Sequence, residues 1–295
     1  MYTFADPIHR SERQLRDKLA VVCGEHRVRF GELAVRCRKL AGALDALGLS
    51  PGDRVAILAA NGPEYFEAYL GIPAAGYVVV PLNWRHAEPE LRYALEDSGT
   101  RVLLTDREVG KLAETVEHVV RLPGDYQALV ASGTERALGE GFSEDDLAGL
   151  FYTGGTTGAS KGVMLTHRAL LANALHFNAV VPIDPDDVAL VMAPMFHAAG
   201  SMWIAGSVWI GCTEVPVPVF DPKVVLDTIE RERCSITIGV PTMLAALAEE
   251  QLESPRDLSS LRAIVHGGSP IATETVRRVH AAVPSAELIL SLIHI

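Results

Sequence analysis

Short apolar runs alternate with amphipathic stretches along most of the 295-residue chain. From residue 19 onward the apolar runs are four to six residues long, as expected for buried strands. Between them, the clearest helical face has apolar residues three or four positions apart, at Leu33, Cys37, Leu40, Leu44 and Leu47. Gly48 predicts the end of that helix. This alternation is typical of βαβ units, so we predict an α/β fold of mostly parallel sheet flanked by helices.

The alternation of strand-like and helix-like segments occurs in two successive parts of the chain, which predicts two lobes. We place the first α/β lobe over residues 1–130 and the second over residues 131–289, with a linker within 124–146, where Gly, Ser, Asp and Glu are frequent. Thr166 and Asp221 are predicted N-caps of helices over 167–181 and up to Arg233. Strands are predicted near residues 55–59, 78–80, 102–105, 148–152, 163–165, 188–193, 215–219, 236–240 and 263–265.

One stretch, residues 188–213, contains no charged side chain and is long enough to span a bilayer. Pro194 and His197 interrupt it, and polar groups near the middle of a span are costly in lipid. We therefore interpret it as a buried strand, a loop and a packed helix, and expect no integral membrane span.

The charge and the cysteine content exclude several classes of function. The formal net charge is −11, and no run of Lys or Arg offsets it, so we expect no nucleic-acid partner. The four cysteines are far apart and form no C-x-x-C pair, which favours free thiols over a disulfide framework or a zinc site. The first fifteen residues carry charges where a signal peptide is apolar. We expect a cytoplasmic protein.

Residues 152–163, YTGGTTGASKGV, form the most informative segment. Glycines let backbone N–H groups approach phosphate oxygens, hydroxyls donate further hydrogen bonds, and Lys161 adds a positive charge. The P-loop pattern does not fit, because Ser160 precedes the lysine and Gly162 follows it. The composition predicts an anion-binding loop, and a flexible loop with a solvated lysine is the structural alternative.

This segment resembles the signature loop of the adenylate-forming superfamily, which contains acyl-CoA synthetases, luciferases and nonribosomal-peptide adenylation domains. The family usually has Ser at the position of Gly154 and Pro at that of Ser160. The resemblance implies the large N-terminal domain of these enzymes, with Lys161 and Thr157 in catalysis. It further implies that ATP is bound by Thr153, Gly154, Gly155, Thr156, Thr157, Gly158 and Lys161.

Two later motifs extend the resemblance. Residues 194–200, PMFHAAG, are similar to the family's next motif. The resemblance implies that His197 lies between the nucleotide and the acyl pocket. A hydrogen-bonded histidine in the core is the alternative. Residues 266–270, HGGSP, resemble the turn that follows the adenine ring. That turn contains Gly267, Gly268 and Ser269.

The acyl substrate is expected to lie among apolar side chains. Residues 239–243, GVPTM, fall where family members line the acyl tunnel, and two apolar residues follow the histidine motif. These residues are equally suited to a core. The resemblance implies a substrate pocket for a fatty or aryl acid, formed by His197, Met202, Trp203, Gly239, Pro241 and Met243.

The resemblance as a whole implies an acid–thiol ligase that uses ATP, Mg²⁺ and coenzyme A as co-substrate to activate a small carboxylic acid. Two alternatives stay open: an adenylating ligase that loads a carrier protein, and a non-catalytic nucleotide- or acyl-binding remnant. A homodimer is also left open.

The C-terminal end departs from the family pattern. Family members continue to a Tyr-Gly-x-Thr-Glu motif, whose glutamate holds Mg²⁺, and to a C-terminal domain with a catalytic lysine. Here the chain ends in LSLIHI, which reads as the translation of a common sequencing adapter. We expect residues 290–295 to be a non-native tail, with a genuine apolar strand as the alternative. We also expect the 295-residue chain alone to lack synthetase activity.

Overall fold

The computed structural model describes residues 2–154 and 160–290, whose strands form two sheets. One has six strands, in the spatial order β6 (His118–Arg121), β5 (Thr100–Thr105), β3 (Arg54–Leu58), β4 (Val78–Pro81), β7 (Leu147–Thr153) and β8 (Lys161–Thr166). The other has seven, in the order β13 (Glu287–Leu290), β12 (Ala263–His266), β11 (Ile236–Gly239), β9 (Val188–Val191), β10 (Thr213–Pro216), β1 (Leu19–Cys23) and β2 (His26–Arg29). The predicted α/β fold is confirmed.

Most neighbouring strands are parallel, and helices connect them across the sheet faces. The antiparallel pairs are β1–β2 and β7–β8. The helices are α1 (Ala5–Leu15), α2 (Phe30–Ala46), α3 (Pro63–Ala74), α4 (Glu88–Ser98), α5 (Gly124–Ser132), α6 (His167–Val180), α7 (Ala198–Ile210), α8 (Pro222–Glu232), α9 (Pro241–Glu253) and α10 (Thr273–Ala282). A 3₁₀ helix covers Gly110–Thr115.

Local sequence signals position several of these helices. The Thr166 hydroxyl accepts a hydrogen bond from the Ala169 N–H at 3.2 Å, and the Asp221 carboxylate accepts one from the Val224 N–H at 3.0 Å. Both predicted N-caps are therefore confirmed, because each satisfies an N–H group that the first helical turn leaves free.

The two sheets do not divide the chain near residue 130. The N-terminal strands β1 and β2 belong to the seven-stranded sheet, whereas β7 and β8 belong to the six-stranded one. The predicted linker region also begins with a helix, α5, whose Tyr126 and Val130 are buried. The first and second lobes stay predictions as domains, and the sheets themselves are interleaved along the sequence.

The core lies around α3, which is buried from Tyr65 to Ala74. This helix contacts β3 and β4 of one sheet and β1 of the other. Its buried Glu67 forms an ion pair with Arg36 and accepts a hydrogen bond from the Tyr126 hydroxyl at 2.8 Å. Burial nevertheless raises the pKa of Glu67. A fully buried helix explains why the two sheets share one continuous apolar cluster.

The uncharged stretch 188–213 folds as predicted, into β9, a turn and the packed helix α7. Across residues 2–154 and 160–290, no helix combines the length and apolar character needed to cross a membrane.

Candidate functional site

Three of the sequence motifs meet at one edge of the seven-stranded sheet. Strands β12, β11 and β9 are neighbours and run parallel, with Gly239 of β11 aligned to His266 of β12. The segments that follow these strands are residues 194–200, 239–243 and 266–270. In open α/β sheets, ligands bind outside the carboxyl ends of the strands, so this edge is the expected position of a site.

A buried asparagine fixes this edge against the other sheet. Asn61 follows β3, and its amide nitrogen donates to the carbonyl oxygens of Ala193 at 3.0 Å and Val217 at 3.1 Å. Its amide oxygen accepts a hydrogen bond from the Met195 N–H at 2.8 Å. Asn61 thereby holds the turn that leads to His197. The sequence interpretation missed this residue, and the available signal was a polar side chain after a buried strand.

The two described ends of the phosphate-loop segment lie on the strands of a β-hairpin. Strands β7 and β8 pair antiparallel, with Thr153 aligned to Lys161. The Ser160 hydroxyl donates to the Thr153 carbonyl at 2.9 Å and closes the base of the loop. Thr153, Gly154 and Lys161 are exposed there. The other predicted ATP-binding residues, Gly155, Thr156, Thr157 and Gly158, lie outside the described residues.

A cavity of about 400 Å³ connects the base of this hairpin with the turn at His197. Its wall includes residues of β7 and β8 on one side and of α6 and α7 on the other. The lining residues are Phe4, Tyr69, Phe151, Tyr152, Thr153, Val163, Leu165, Ala169, Leu170, Asn173, Phe196, His197, Ala198, Ser201, Met202 and Ala205. The cavity therefore has a polar opening at the hairpin and a mainly apolar, aromatic interior.

Sequence comparison assigns the family. A family described as AMP-binding enzyme matches residues 8–292. This chain belongs to the AMP-binding enzyme family. The resemblance that the motifs indicated is thus confirmed.

Curated relatives of this AMP-binding enzyme are acid–thiol ligases. A feruloyl-CoA synthase from an Amycolatopsis species is 38% identical over 279 residues, which cover 92% of this chain and 55% of that protein. The fatty acid–[acyl-carrier-protein] ligase ScoC of Streptomyces coeruleorubidus is 35% identical, over 86% of this chain and 51% of its own length. A long-chain-fatty-acid–CoA ligase of Thermus thermophilus is 34% identical, with coverage of 86% and 49%. The chain spans about half the length of these relatives.

Solved structures agree with the fold. The N-terminal domain of FACL13 from Mycobacterium tuberculosis matches with a TM-score of 0.91 and 26% identity, over 99% of this chain and 75% of that one. The o-succinylbenzoate CoA synthetase of Bacillus subtilis, in complex with AMP, matches with a TM-score of 0.85 and 27% identity, over 98% and 59%. The predicted fold, the N-terminal domain of adenylate-forming enzymes, is confirmed.

His197 lies at the junction of the cavity and the sheet edge of this AMP-binding enzyme. It is exposed and precedes α7, where its Nδ1 accepts a hydrogen bond from the Ala199 N–H at 3.2 Å. In the neutral ring the proton therefore resides on Nε2. His197 is a helix cap at the cavity wall and not a core histidine.

The apolar residues predicted for the acyl pocket divide into two groups. Met202 lines the cavity, one helical position from Ser201. Trp203 does not, because it is 1% exposed and packs in the core against Phe177, with ring centroids 5.3 Å apart. Trp203 therefore has a packing role in this structure, and its place in the substrate pocket stays a prediction.

The segment after β11 also lies apart from this cavity. A Cβ on Gly239 would stand 2.6 Å from the Met192 side chain, so only glycine fits without a shift. Pro241 is buried in the first turn of α9, and Met243 is half-buried. The three residues occupy the shared sheet edge without lining the 400 Å³ space, and their substrate role stays a prediction.

The predicted adenine turn adjoins that segment. Gly268 has φ +81°, which favours glycine, and a Cβ there would be 3.3 Å from Val240. Gly267 is buried, whereas Gly268 and Ser269 are exposed at the sheet edge. The turn offers backbone groups to a ligand at this edge, and the adenine contact stays a prediction.

An arginine–tryptophan cluster contacts the cavity residue Phe196, and the sequence interpretation gave it no role. The Arg85 and Arg107 guanidinium carbons lie 4.6 and 5.0 Å from the Trp84 ring centroid. Trp84 meets Phe196, a cavity residue, edge to face at 6.4 Å. Arg107 pairs with Asp106, but Arg85 forms no ion pair with any described residue. The Arg85 guanidinium also lies 5.8 Å from the ring centroid of Phe196, so one cation adjoins a residue of the cavity wall.

Proposed function

We propose that this chain is the ATP- and acyl-binding part of an acyl-CoA synthetase. In the first step a carboxylate oxygen attacks the α-phosphorus of ATP, the bond to the β-phosphate oxygen breaks, and pyrophosphate leaves. In the second step the sulfur of coenzyme A attacks the acyl carbonyl, and AMP leaves with the bonding electrons. The observation that carries the proposal is the single cavity that Thr153 of the hairpin and His197 of the sheet edge both line.

The chain's own residues would stabilise the negative charge that develops in the first step. A carboxylate must approach a phosphorus surrounded by anionic oxygens, so donors are needed where negative charge accumulates on the departing pyrophosphate. Lys161 is exposed at the base of the hairpin, beside Thr153 and the hydroxyl of Ser160. These groups would bind the phosphates, together with the residues predicted from the loop sequence, and Thr157 with Lys161 would act on the leaving group.

The described residues contain no cluster of side chains that forms a metal site by itself. Within residues 2–154 and 160–290, no group of three or more His, Cys, Asp or Glu side chains is placed to hold a metal ion. No step is therefore assigned to Mg²⁺ on these residues.

The cavity supports an apolar acid as substrate. Its interior is lined by aromatic and aliphatic side chains, among them Phe4, Phe151 and Met202. Burial of apolar surface there stabilises a fatty or aryl group by about 25 cal/mol per Å². The names of the relatives, a feruloyl-CoA synthase and a long-chain-fatty-acid–CoA ligase, agree with this class.

A carrier-protein thiol is the second candidate acceptor. It is favoured by one specific observation, the 35% identity to a fatty acid–[acyl-carrier-protein] ligase. Both acceptors require the same adenylation step, so the proposed roles of Lys161 and the cavity hold for either.

The proposal is tested by titrating ATP into the 295-residue chain in a calorimeter. We expect saturable binding that Lys161→Ala weakens at least tenfold, because the lysine charge is removed from the phosphate site. Lys223→Ala is the matched control, since Lys223 is an exposed lysine on α8, and it should bind as the parent chain does. Equal binding by all three proteins would contradict the proposal. Binding without pyrophosphate exchange, in a protein of the relatives' full length, would favour a non-catalytic remnant.

A further inference from the structure

Strand β8, which carries Lys161, is supported from one side. It is the last strand of the six-stranded sheet, and among the strands of residues 2–154 and 160–290 it pairs with β7 alone. Its Val163 and Met164 side chains are 41% and 70% exposed, so few neighbours hold its outer part. The position of Lys161 therefore depends on how firmly β7 is held.

A tyrosine near the end of β7 attaches this strand to helix α4. The Tyr152 hydroxyl donates to the Asp97 carboxylate of α4 at 2.6 Å, and the Tyr152 ring meets Tyr93 of the same helix edge to face, with centroids 6.4 Å apart. Burial and the Asp97 carboxylate both raise the pKa of Tyr152, so the phenol keeps the proton that it donates. Hydrogen bonds to a charged acceptor are stronger than those between neutral groups.

The end of α4 that carries Asp97 is itself fixed to the sheet. Arg54 of β3 donates to the carbonyl oxygen of Ser98 at 2.6 Å and to that of Gly99 at 2.8 Å. Carbonyl groups at a helix C-terminus lack helical partners, and a cation there is favourable. Leu95 of the same turn is fully buried. The Asp97 backbone is therefore a firm anchor, although its side chain is exposed.

The hydroxyl end of Tyr152 lies over the strand of the lysine. Tyr152 is aligned with Gly162, and a Cβ on Gly162 would be 3.2 Å from the ring carbon that bears the hydroxyl and 3.3 Å from the hydroxyl oxygen. Glycine thus leaves the space that the phenol occupies. Gly162 directly follows Lys161, and Tyr152 directly precedes Thr153. One side chain therefore spans both strands at the base of the proposed phosphate site.

We propose that Tyr152, with Asp97 as its anchor, is a positioning residue for the two phosphates of ATP that leave as pyrophosphate. The inference rests on the proposed function, because it concerns the hairpin that binds the nucleotide there. Tyr152 acts through Thr153 and Lys161, which it holds in the binding geometry before ATP arrives. Without the link to α4, ordering the hairpin base accompanies binding and lowers the affinity.

The test measures the affinities of the 295-residue chain for ATP and AMP by calorimetry. Tyr152→Phe removes the hydroxyl and keeps the ring. We expect it to weaken ATP binding about fivefold and to leave AMP binding within about twofold, because AMP lacks the two phosphates that the hairpin holds. A general structural defect would weaken the binding of both nucleotides. Asp97→Ala should reproduce the loss for ATP, whereas Asp97→Asn, which retains an acceptor oxygen, should recover most of it.

Tyr77→Phe is the matched control. The Tyr77 hydroxyl also donates to an aspartate, Asp45. Tyr77 directly precedes β4, and β4 runs parallel to β7 with Val79 aligned to Gly149, so this pair lies at the opposite end of the sheet from the hairpin loop. The control should leave both affinities unchanged.

Amide hydrogen exchange of the free chain separates this inference from the proposed function. Tyr152→Phe should speed exchange in β7 and β8 at least about threefold, and Tyr77→Phe should leave it unchanged there. Unchanged exchange in the Tyr152 variant, or equal losses of ATP and AMP affinity, would overturn the inference and leave the proposed function intact. Faster exchange in a parent chain that binds no ATP would refute the proposed function, and the phosphate role of Tyr152 with it, but retain the link to α4.

Discussion

The backbone N–H of Met195 donates a 2.8 Å hydrogen bond to the side-chain oxygen of Asn61, and this bond joins the two sheets at the candidate site. Asn61 comes from the six-stranded sheet, Met195 from the turn that precedes His197. The amide nitrogen of Asn61 donates to two further carbonyls of the seven-stranded sheet. One 7% exposed side chain thus satisfies backbone groups that follow β9 and β10.

Asn61→Ala is therefore expected to destabilise the protein by about 1–3 kcal/mol, since it leaves buried backbone groups without partners. Chemical denaturation measures this free energy. Asn173→Ala, at an exposed position of α6, should change it by less than about 0.5 kcal/mol. Equal effects of the two substitutions would show that Asn61 does not hold the sheets together.

Gly200→Ala should disturb the turn at His197 directly. A Cβ at Gly200 would lie 2.3 Å from the Pro194 carbonyl oxygen and 2.9 Å from the Met195 Cα, so the backbone must shift. We expect a loss of about 1–3 kcal/mol in the free energy of unfolding. Gly206→Ala on the same helix meets only the Asn178 side chain, at 3.1 Å, which can move. The Gly206→Ala control should leave the free energy of unfolding nearly unchanged. Comparable losses of stability in the two variants would refute the backbone clash at Gly200.

Glu214 makes stability depend on pH. It is fully buried on β10, and burial raises its pKa to about 8 from an ordinary value of 4.5. Because the folded state holds the proton more tightly, the stabilisation is complete below about pH 4.5 and is lost as the pH rises towards 8. The loss through this group is about 1.4 kcal/mol per pH unit.

Glu214→Gln should remove this dependence while keeping an acceptor for the Ser207 hydroxyl. Denaturation midpoints at pH 5 and pH 8 provide the measurement, and the variant should gain stability relative to the parent as the pH rises. A constant difference between the two proteins across that range would mean that Glu214 is already ionised in the fold.

Lys161→Ala should slow adenylation in a protein of the relatives' full length. Removing one preorganised donor from such a site lowers rates by about 10²–10³, and pyrophosphate exchange reports this step alone. Lys223→Ala should exchange at the parent rate. An unchanged rate in the Lys161 variant would exclude the hairpin base from phosphate binding.

Much of the fold was predictable because its signals are local. The caps at Thr166 and Asp221 depend on neighbours three residues away, and the buried strands are continuous apolar runs. Asn61 was not predictable in this way, since one of its acceptors, Val217, is 156 residues distant.

The sequence also could not predict which apolar residues lie in the core and which line the cavity. Helix α7 carries no charged residue on any face, so hydrophobic periodicity cannot indicate which residues face an open space. Met202 and Trp203 are neighbours in sequence and share apolar character, yet they point to different surroundings. Only tertiary packing distinguishes them, since Trp203 packs against Phe177 of α6 whereas Met202 lines the cavity.

The interleaving of the two sheets has a consequence for how this protein is made. Strand β1 pairs on one edge with β2, which follows at once, but its other edge waits for β10, where Glu214, almost two hundred residues later, is aligned with Val21. At translation rates of about 5–20 residues per second, that wait lasts on the order of ten to forty seconds on the ribosome. During this time that edge of β1 has no strand partner, and slow synonymous codons before β10 would lengthen the interval.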